Sequence, residues 1–195
     1  MMRPRGAIEL KRALDIAGGL AGLVLLLPLF VGLAIAVRLE SPGPSLHWSR
    51  RVGRRNRIFA MPKFRTMRTG APDVATHLLD DPKEWVTPLG RFLRRSSLDE
   101  LPQLWSVLKG DMSLVGPRPA LFNQDDLVTL RTEAGVDALR PGLTGWAQIN
   151  GRDELPIGEK ARLDREYLER MSIAFDLRIL AATALSAFSG RDVSH

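Results

Sequence analysis

From Ile16 to Val37 the chain reads IAGGLAGLVLLLPLFVGLAIAV without one charged side chain. As a helix this run is long enough to cross a hydrocarbon core of about 30 Å, so a membrane is a partner of whatever the chain folds into. Pro28 falls in its middle, where it removes a backbone hydrogen bond and presses on the carbonyl of Val24, and a kink is expected there. Basic residues flank the run on both sides, with Arg3, Arg5, Lys11 and Arg12 before it and Arg38, Arg50, Arg51, Arg54, Arg55 and Arg57 after it. Positive charge marks the cytoplasmic side, so both ends belong inside. A straight span satisfies only one flank, whereas a helix broken at Pro28 dips into one leaflet and returns; an ordinary kinked span is the alternative that charge and proline leave open. A cleaved leader fits less well, because the run exceeds an ordinary leader core and the following ESPGPS offers no small-x-small cleavage site.

The remaining sequence turns polar after Glu40, and Ser41-Pro-Gly-Pro44 marks a boundary, giving a membrane segment over 1–40 and a cytosolic body over 41–195. At 195 residues without cysteine, the chain holds one fold that does not rely on disulfides. Lys and Arg number 28 against 22 Asp and Glu, a net charge of +6 that suits anionic lipid, nucleic acid or phosphorylated substrates equally.

Local patterns predict a mainly α fold with one small β-hairpin, an α+β arrangement. Alternation over 46–52 and 57–66 around Gly53-Arg-Arg-Asn56 predicts the hairpin, with Gly53 or Asn56 at positive φ. Asp73 to Lys83 reads as loop and short helix, and Trp85 to Arg95 as amphipathic. Ser97-Leu-Asp-Glu100 has the form of a capping box, predicting a helix from Leu98 to Lys109 that stops at Gly110. Asp125 to Leu139 and Glu159 to Arg170 read as helices, while Leu177 to Phe188 is apolar enough to lie on a membrane surface or in a core. Gly116-Pro-Arg-Pro119 must be a stiff irregular loop, since each proline fixes φ and restricts the residue before it.

Two adjacent carboxylates in a first helical turn, such as Asp99 and Glu100, are explained cheaply by the helix dipole. Their neighbours shift that balance. Arg91, Arg94 and Arg95 precede the pair and Arg118 follows in the proline-bounded loop, so guanidinium groups could converge on phosphate oxygens. Phosphoryl transfer needs that arrangement, and a carboxylate nucleophile beside phosphate needs a cation such as Mg²⁺ to suppress repulsion. Lys63 and Arg65 are phosphate-binding candidates or solvated strand charges, Gln148, Asn150 and Arg152 nucleotide-contact or turn residues. His47 and His77 lack a second ligand at useful spacing and take no role; Trp85, Trp105 and Trp146 read as core or interface aromatics.

KFRTM at 63–67, SSLDELPQLWSVLKGDMSLVGPRP at 96–119 and PGLTGWAQINGR at 141–152, in this order, resemble the bacterial sugar transferase family, the monotopic phosphoglycosyl transferases. The resemblance runs from Lys11-Arg-Ala-Leu-Asp15 to Asp176-Leu-Arg-Ile-Leu180. It implies a two-step reaction in which Asp99 attacks the β-phosphate of a UDP-sugar, UMP leaves, and undecaprenyl phosphate accepts the phosphosugar from the aspartate. It further implies Mg²⁺ and proton handling shared between Asp99 and Glu100, Arg94 and Arg118 near the substrate phosphates, and a re-entrant helix broken at Pro28. The setting would be the cytoplasmic face of a bacterial inner membrane, at the first membrane step of O-antigen, capsule, exopolysaccharide or glycoprotein glycan synthesis. No nucleic-acid partner is expected, because the arginines accompany prolines and carboxylates rather than a nucleic-acid module. A homodimer is left open. The chain departs from the family pattern at Leu27-Pro28, where Ser-Pro is frequent, at Ser49 in place of glutamine, and at Asn56 in place of a turn glycine. Two competing readings are a transferase that moves sugar alone and releases UDP, and a basic non-catalytic scaffold.

Overall fold

The computed structural model describes residues 5–71, 82–151 and 155–189. The apolar run forms two helices, α1 (Arg5–Leu25) and α2 (Leu27–Glu40), bent by 62° at Leu26. The break comes two residues before Pro28, which sits in the first turn of α2, where a missing N–H costs nothing. Among the described residues no single helix is long and apolar enough to cross a membrane, and only the bent pair together reaches that length. Val24, Leu25, Leu27, Val31 and Ile35 all stand exposed around the bend.

A three-residue face of glycines lets α1 lie close on the body. A Cβ at Gly18 would press on Leu114, and at Gly19 and Gly22 on Leu108 and Leu104. Beside this face three charged residues of α1 bond into the body. Arg12 donates to the carbonyls of Val107 and Leu108, 2.7 and 2.8 Å, closing the C-terminus of α5 (Gln103–Lys109). Asp15, 4% exposed, accepts from the Leu114 amide and the Ser113 hydroxyl. Lys11 reaches the Val115 carbonyl at 3.0 Å and Asp176 at 2.7 Å.

The hairpin is as expected: β1 (Leu46–Val52) pairs antiparallel with β2 (Ile58–Phe64), Leu46 opposite Phe64 and Val52 opposite Ile58. Its turn holds Arg55 and Asn56 at positive φ, while Gly53 is extended. Leu33 and Val37 of α2 share a core with Phe64 of the hairpin and Leu93 of α4 (Pro88–Arg95). The N-terminus of α4 follows a short α3 (Pro82–Trp85) and is capped twice, by the Thr87 hydroxyl on the Gly90 amide and by the Glu40 carboxylate on the Leu89 amide.

Two expected helices are shorter than their patterns. The stretch 98–109 splits into a 3-10 turn, Leu98–Glu100, and α5, because Pro102 cannot donate a helical hydrogen bond. Gly110 ends α5 at φ 96° as expected. Likewise α6 runs only Asp125–Glu133, since Gly135 adopts φ 72° and turns the chain into a 3-10 turn, Val136–Ala138. A second, parallel sheet was not foreseen: β3 (Ser113–Val115) pairs with β4 (Gly142–Thr144). The chain then continues through α7 (Trp146–Ile149), α8 (Ile157–Arg170) and α9 (Ile173–Ser189). Val115, Tyr167, Phe175 and Ile179 join β3, α8 and α9 in one core, while Leu177 and Leu185 of α9 stay exposed. His77 and most of the 73–83 stretch lie outside the described residues.

Candidate active site

Asp99 and Glu100 occupy the 3-10 turn, entered through Ser97 at φ 56°, a left-handed conformation that a serine adopts at some cost. The Ser97 side chain makes no cap bond, so the capping box does not form. Glu100 is engaged elsewhere. Lys63 from β2 donates to its Oε1 at 2.8 Å, and Arg118 donates to Oε1 at 3.0 Å and to Oε2 at 3.4 Å. Burial pushes the Glu100 carboxyl up, but Arg118 and Lys63 outweigh it and hold the group well below the usual carboxylate range. For Asp99, 7% exposed, the balance is opposite: burial pushes the carboxyl up, Lys63 pulls against it, Glu100 adds to it, and Arg94 and Arg118 oppose. Arg94 is placed by its Nε, which donates to the Thr66 hydroxyl at 2.8 Å. Adjacent carboxyls are thus pushed apart, one a fixed anion inside a cation clamp and the other a more basic group, the division of labour that acid-base and nucleophilic sites require.

The loop carrying Arg118 is stiff for reasons beyond its prolines. Val115 O accepts from Lys11, Ser113 and Tyr167, Pro117 O from the Gly142 amide, Pro119 O from Arg51 and Ala120 O from the Val52 amide. From behind, β4 and the turn after it approach so closely that a Cβ on Gly142 would fall on the Gly116 amide and one on Gly145 on the Gly116 carbonyl. Backbone meeting backbone leaves no side chain to yield. Gly145→Val is therefore expected to cost at least about 2 kcal/mol in denaturant unfolding, while Gly158→Ala, with nothing within 4 Å, leaves stability unchanged or slightly raised. Equal stability of the two variants would show that the close approach is not needed.

A family model described as bacterial sugar transferase matches residues 7–190. The chain belongs to that family. A UDP-glucose:undecaprenyl-phosphate glucose-1-phosphate transferase of Caulobacter vibrioides is 42% identical over 194 residues, covering 94% of this chain and 72% of the relative. The protein of that name from Escherichia coli K12 is 42% identical over 190 residues, 92% of this chain and 40% of the relative. An undecaprenyl-phosphate glucose phosphotransferase of Komagataeibacter xylinus is 41% identical over 184 residues, 89% and 35%. This bacterial sugar transferase chain therefore spans well under half the length of two of these relatives and most of the third.

Of the residues singled out in the sequence, Asp99, Glu100, Lys63, Arg94 and Arg118 form one cluster in this family member. Arg65 lies apart from it, 7% exposed, donating to the carbonyls of Val37 and Ser41 and to the Ser41 hydroxyl at the end of α2. Gln148 donates to the Leu143 carbonyl at 3.1 Å, which ties it to β4. Arg152 lies outside the described residues. Sequence reasoning missed the supports: Thr66 under Arg94, and Arg131 and Asp164 behind the loop. Each reads alone as an ordinary strand or helix residue, and only contact gives it meaning.

Proposed function

We propose that the chain transfers a sugar-1-phosphate from a UDP-sugar to undecaprenyl phosphate through a covalent intermediate on Asp99. The Asp99 carboxylate attacks the β-phosphorus of the donor. The bond from that phosphorus to the bridging oxygen breaks, and UMP leaves with the oxygen and its electron pair. A phosphate oxygen of undecaprenyl phosphate then attacks the same phosphorus, the aspartyl oxygen departs, and Asp99 is regenerated. The names of the relatives support the substrates, and the observation that carries the step is the convergence of one buried, more basic carboxyl with a clamped carboxylate and three cations. Arg94 and Arg118 orient the equatorial phosphate oxygens and offset their charge. Lys63 and Arg118 keep Glu100 ionised beside the reacting group.

Among the described residues no group of three or more carboxylates or histidines gathers to hold a metal. Two adjacent carboxylates nevertheless suit Mg²⁺, which fills its remaining positions with water and substrate phosphate oxygens. Asp99 and Glu100 would hold it, and when bound it neutralises phosphate charge. The decisive experiment identifies the nucleotide released when purified protein meets a panel of UDP-sugars, undecaprenyl phosphate and Mg²⁺. UMP is expected; UDP would mean transfer of sugar alone and would overturn the covalent step.

The bent pair, with basic residues at both ends, supports a re-entrant anchor that keeps the site on the cytoplasmic face. Gly6 in the first turn of α1 and Pro42 just after α2 are exposed, and the chain has no cysteine to compete with one introduced there. Single Gly6→Cys and Pro42→Cys variants are expected to resist a membrane-impermeant maleimide in intact cells and to label after lysis. Labelling of Gly6→Cys before lysis would mean a spanning helix.

A further inference from the structure

Arg131 on α6 and Asp164 on α8 form a deeply buried ion pair, with 11% and 1% of their side chains accessible. Nε and Nη2 of Arg131 both donate to Oδ2 of Asp164, at 2.8 and 2.6 Å. The third direction of the guanidinium is used differently: Nη1 donates to the backbone carbonyl of Arg118 at 2.8 Å. Burying such a pair is a costly way to join two helices, and α6 and α8 already meet through Leu127 and Ala161 around Ala120. What an apolar contact could not supply is a planar donor aimed at one carbonyl from a fixed anchor.

That carbonyl belongs to the residue whose side chain clamps Glu100. The Pro117 carbonyl before it and the Pro119 and Ala120 carbonyls after it are held by Gly142, Arg51 and Val52. The Arg118 carbonyl between them accepts from Arg131 Nη1. We propose that Arg131, fixed by Asp164, is a positioning residue that sets where the Arg118 guanidinium stands over Glu100 and the donor phosphates. This rests on the reaction proposed above for its kinetic consequence, though not for its geometry.

The test replaces the pair by apolar side chains of similar size, Arg131→Met with Asp164→Leu, a change that buried ion pairs often tolerate without loss of stability. In full-length protein in lipid nanodiscs, kcat/KM for the UDP-sugar is expected to fall about 10–100-fold. In an Arg118→Ala background the same double change should alter kcat/KM by less than about 2-fold, because a residue acting only through Arg118 has nothing left to place. Equal losses in both backgrounds, or wild-type kinetics, would overturn the proposal. If the double variant does not fold, Arg131→Lys decides in its place, since an ammonium on Asp164 cannot also hold the carbonyl in a fixed plane; it too must lose activity only where Arg118 is present. A readout independent of the reaction is the side-chain Nε–H resonance of Arg118 in arginine-labelled protein. It should shift and exchange faster in the relay variant; an unmoved resonance would sink the relay even if UMP release is confirmed, and a moved one would uphold it even if the nucleotide proves to be UDP.

Discussion

Asp99→Asn is expected to lower UMP release by at least about four orders of magnitude while the protein keeps its fold. An amide is close in shape to a carboxylate but carries no anionic lone pair to attack phosphorus. Its effect on stability has the opposite sign from its effect on rate. Burial already pushes the Asp99 carboxyl up, and Glu100 beside it pushes the same way, so a neutral side chain relieves a desolvation and repulsion cost that the wild type carries. Thermal unfolding should occur at the same temperature or slightly higher, the signature of a group retained for chemistry at the expense of stability. Both measurements belong on one preparation, with mass spectrometry confirming that the asparagine has not deamidated. Wild-type turnover would remove Asp99 from the nucleophile's place.

Glu100→Gln is the second large effect, and it should damage both properties. Lys63 and Arg118 converge on this carboxylate, so an amide leaves them with one acceptor oxygen and turns an NH₂ toward a cation. The stability cost should be about 1–3 kcal/mol, below that of a fully buried pair because 35% of the Arg118 side chain is accessible. Turnover should fall at least about 10²-fold, as the clamp proposed for the donor phosphates loses its anchor. The Mg²⁺ concentration for half-maximal rate should rise as well. An unchanged rate and metal response would leave Glu100 with a structural part only.

What the sequence revealed, and what it hid, follows the range of each interaction. The bent apolar pair and the hairpin were legible because their signals are local: an uncharged run with a central proline, and alternation on either side of a turn. The Asp99, Glu100, Lys63 and Arg118 group was legible from motifs, which encode chemistry without encoding distance. The capping box failed because two cations distant in sequence claim Glu100, a competition no local pattern can express. The β3 and β4 pair is three residues a side, too short for periodicity to register. Arg65 shares the KFRTM motif with Lys63 and so read as a second phosphate ligand, yet the chain fold brings the end of α2 against it. Arg131 and Asp164 each look like the charged face of a helix until the two helices are laid together.

Residue 40 divides two stretches of sequence that nonetheless share an interior. Leu33 and Val37 fill the space under Phe64 and Leu93, Glu40 caps α4, and Arg65 places its donors on Ser41 and Val37. On the other side Lys11, Arg12 and Asp15 close β3 and α5. The bent helix pair is thus less an appendage than a keystone, and its removal would leave the arginine clamp without the floor on which it is built. A chain cut at residue 40 would therefore not release an independent body: the residues that hold β3, α5 and the loop around Arg118 would go with the piece removed.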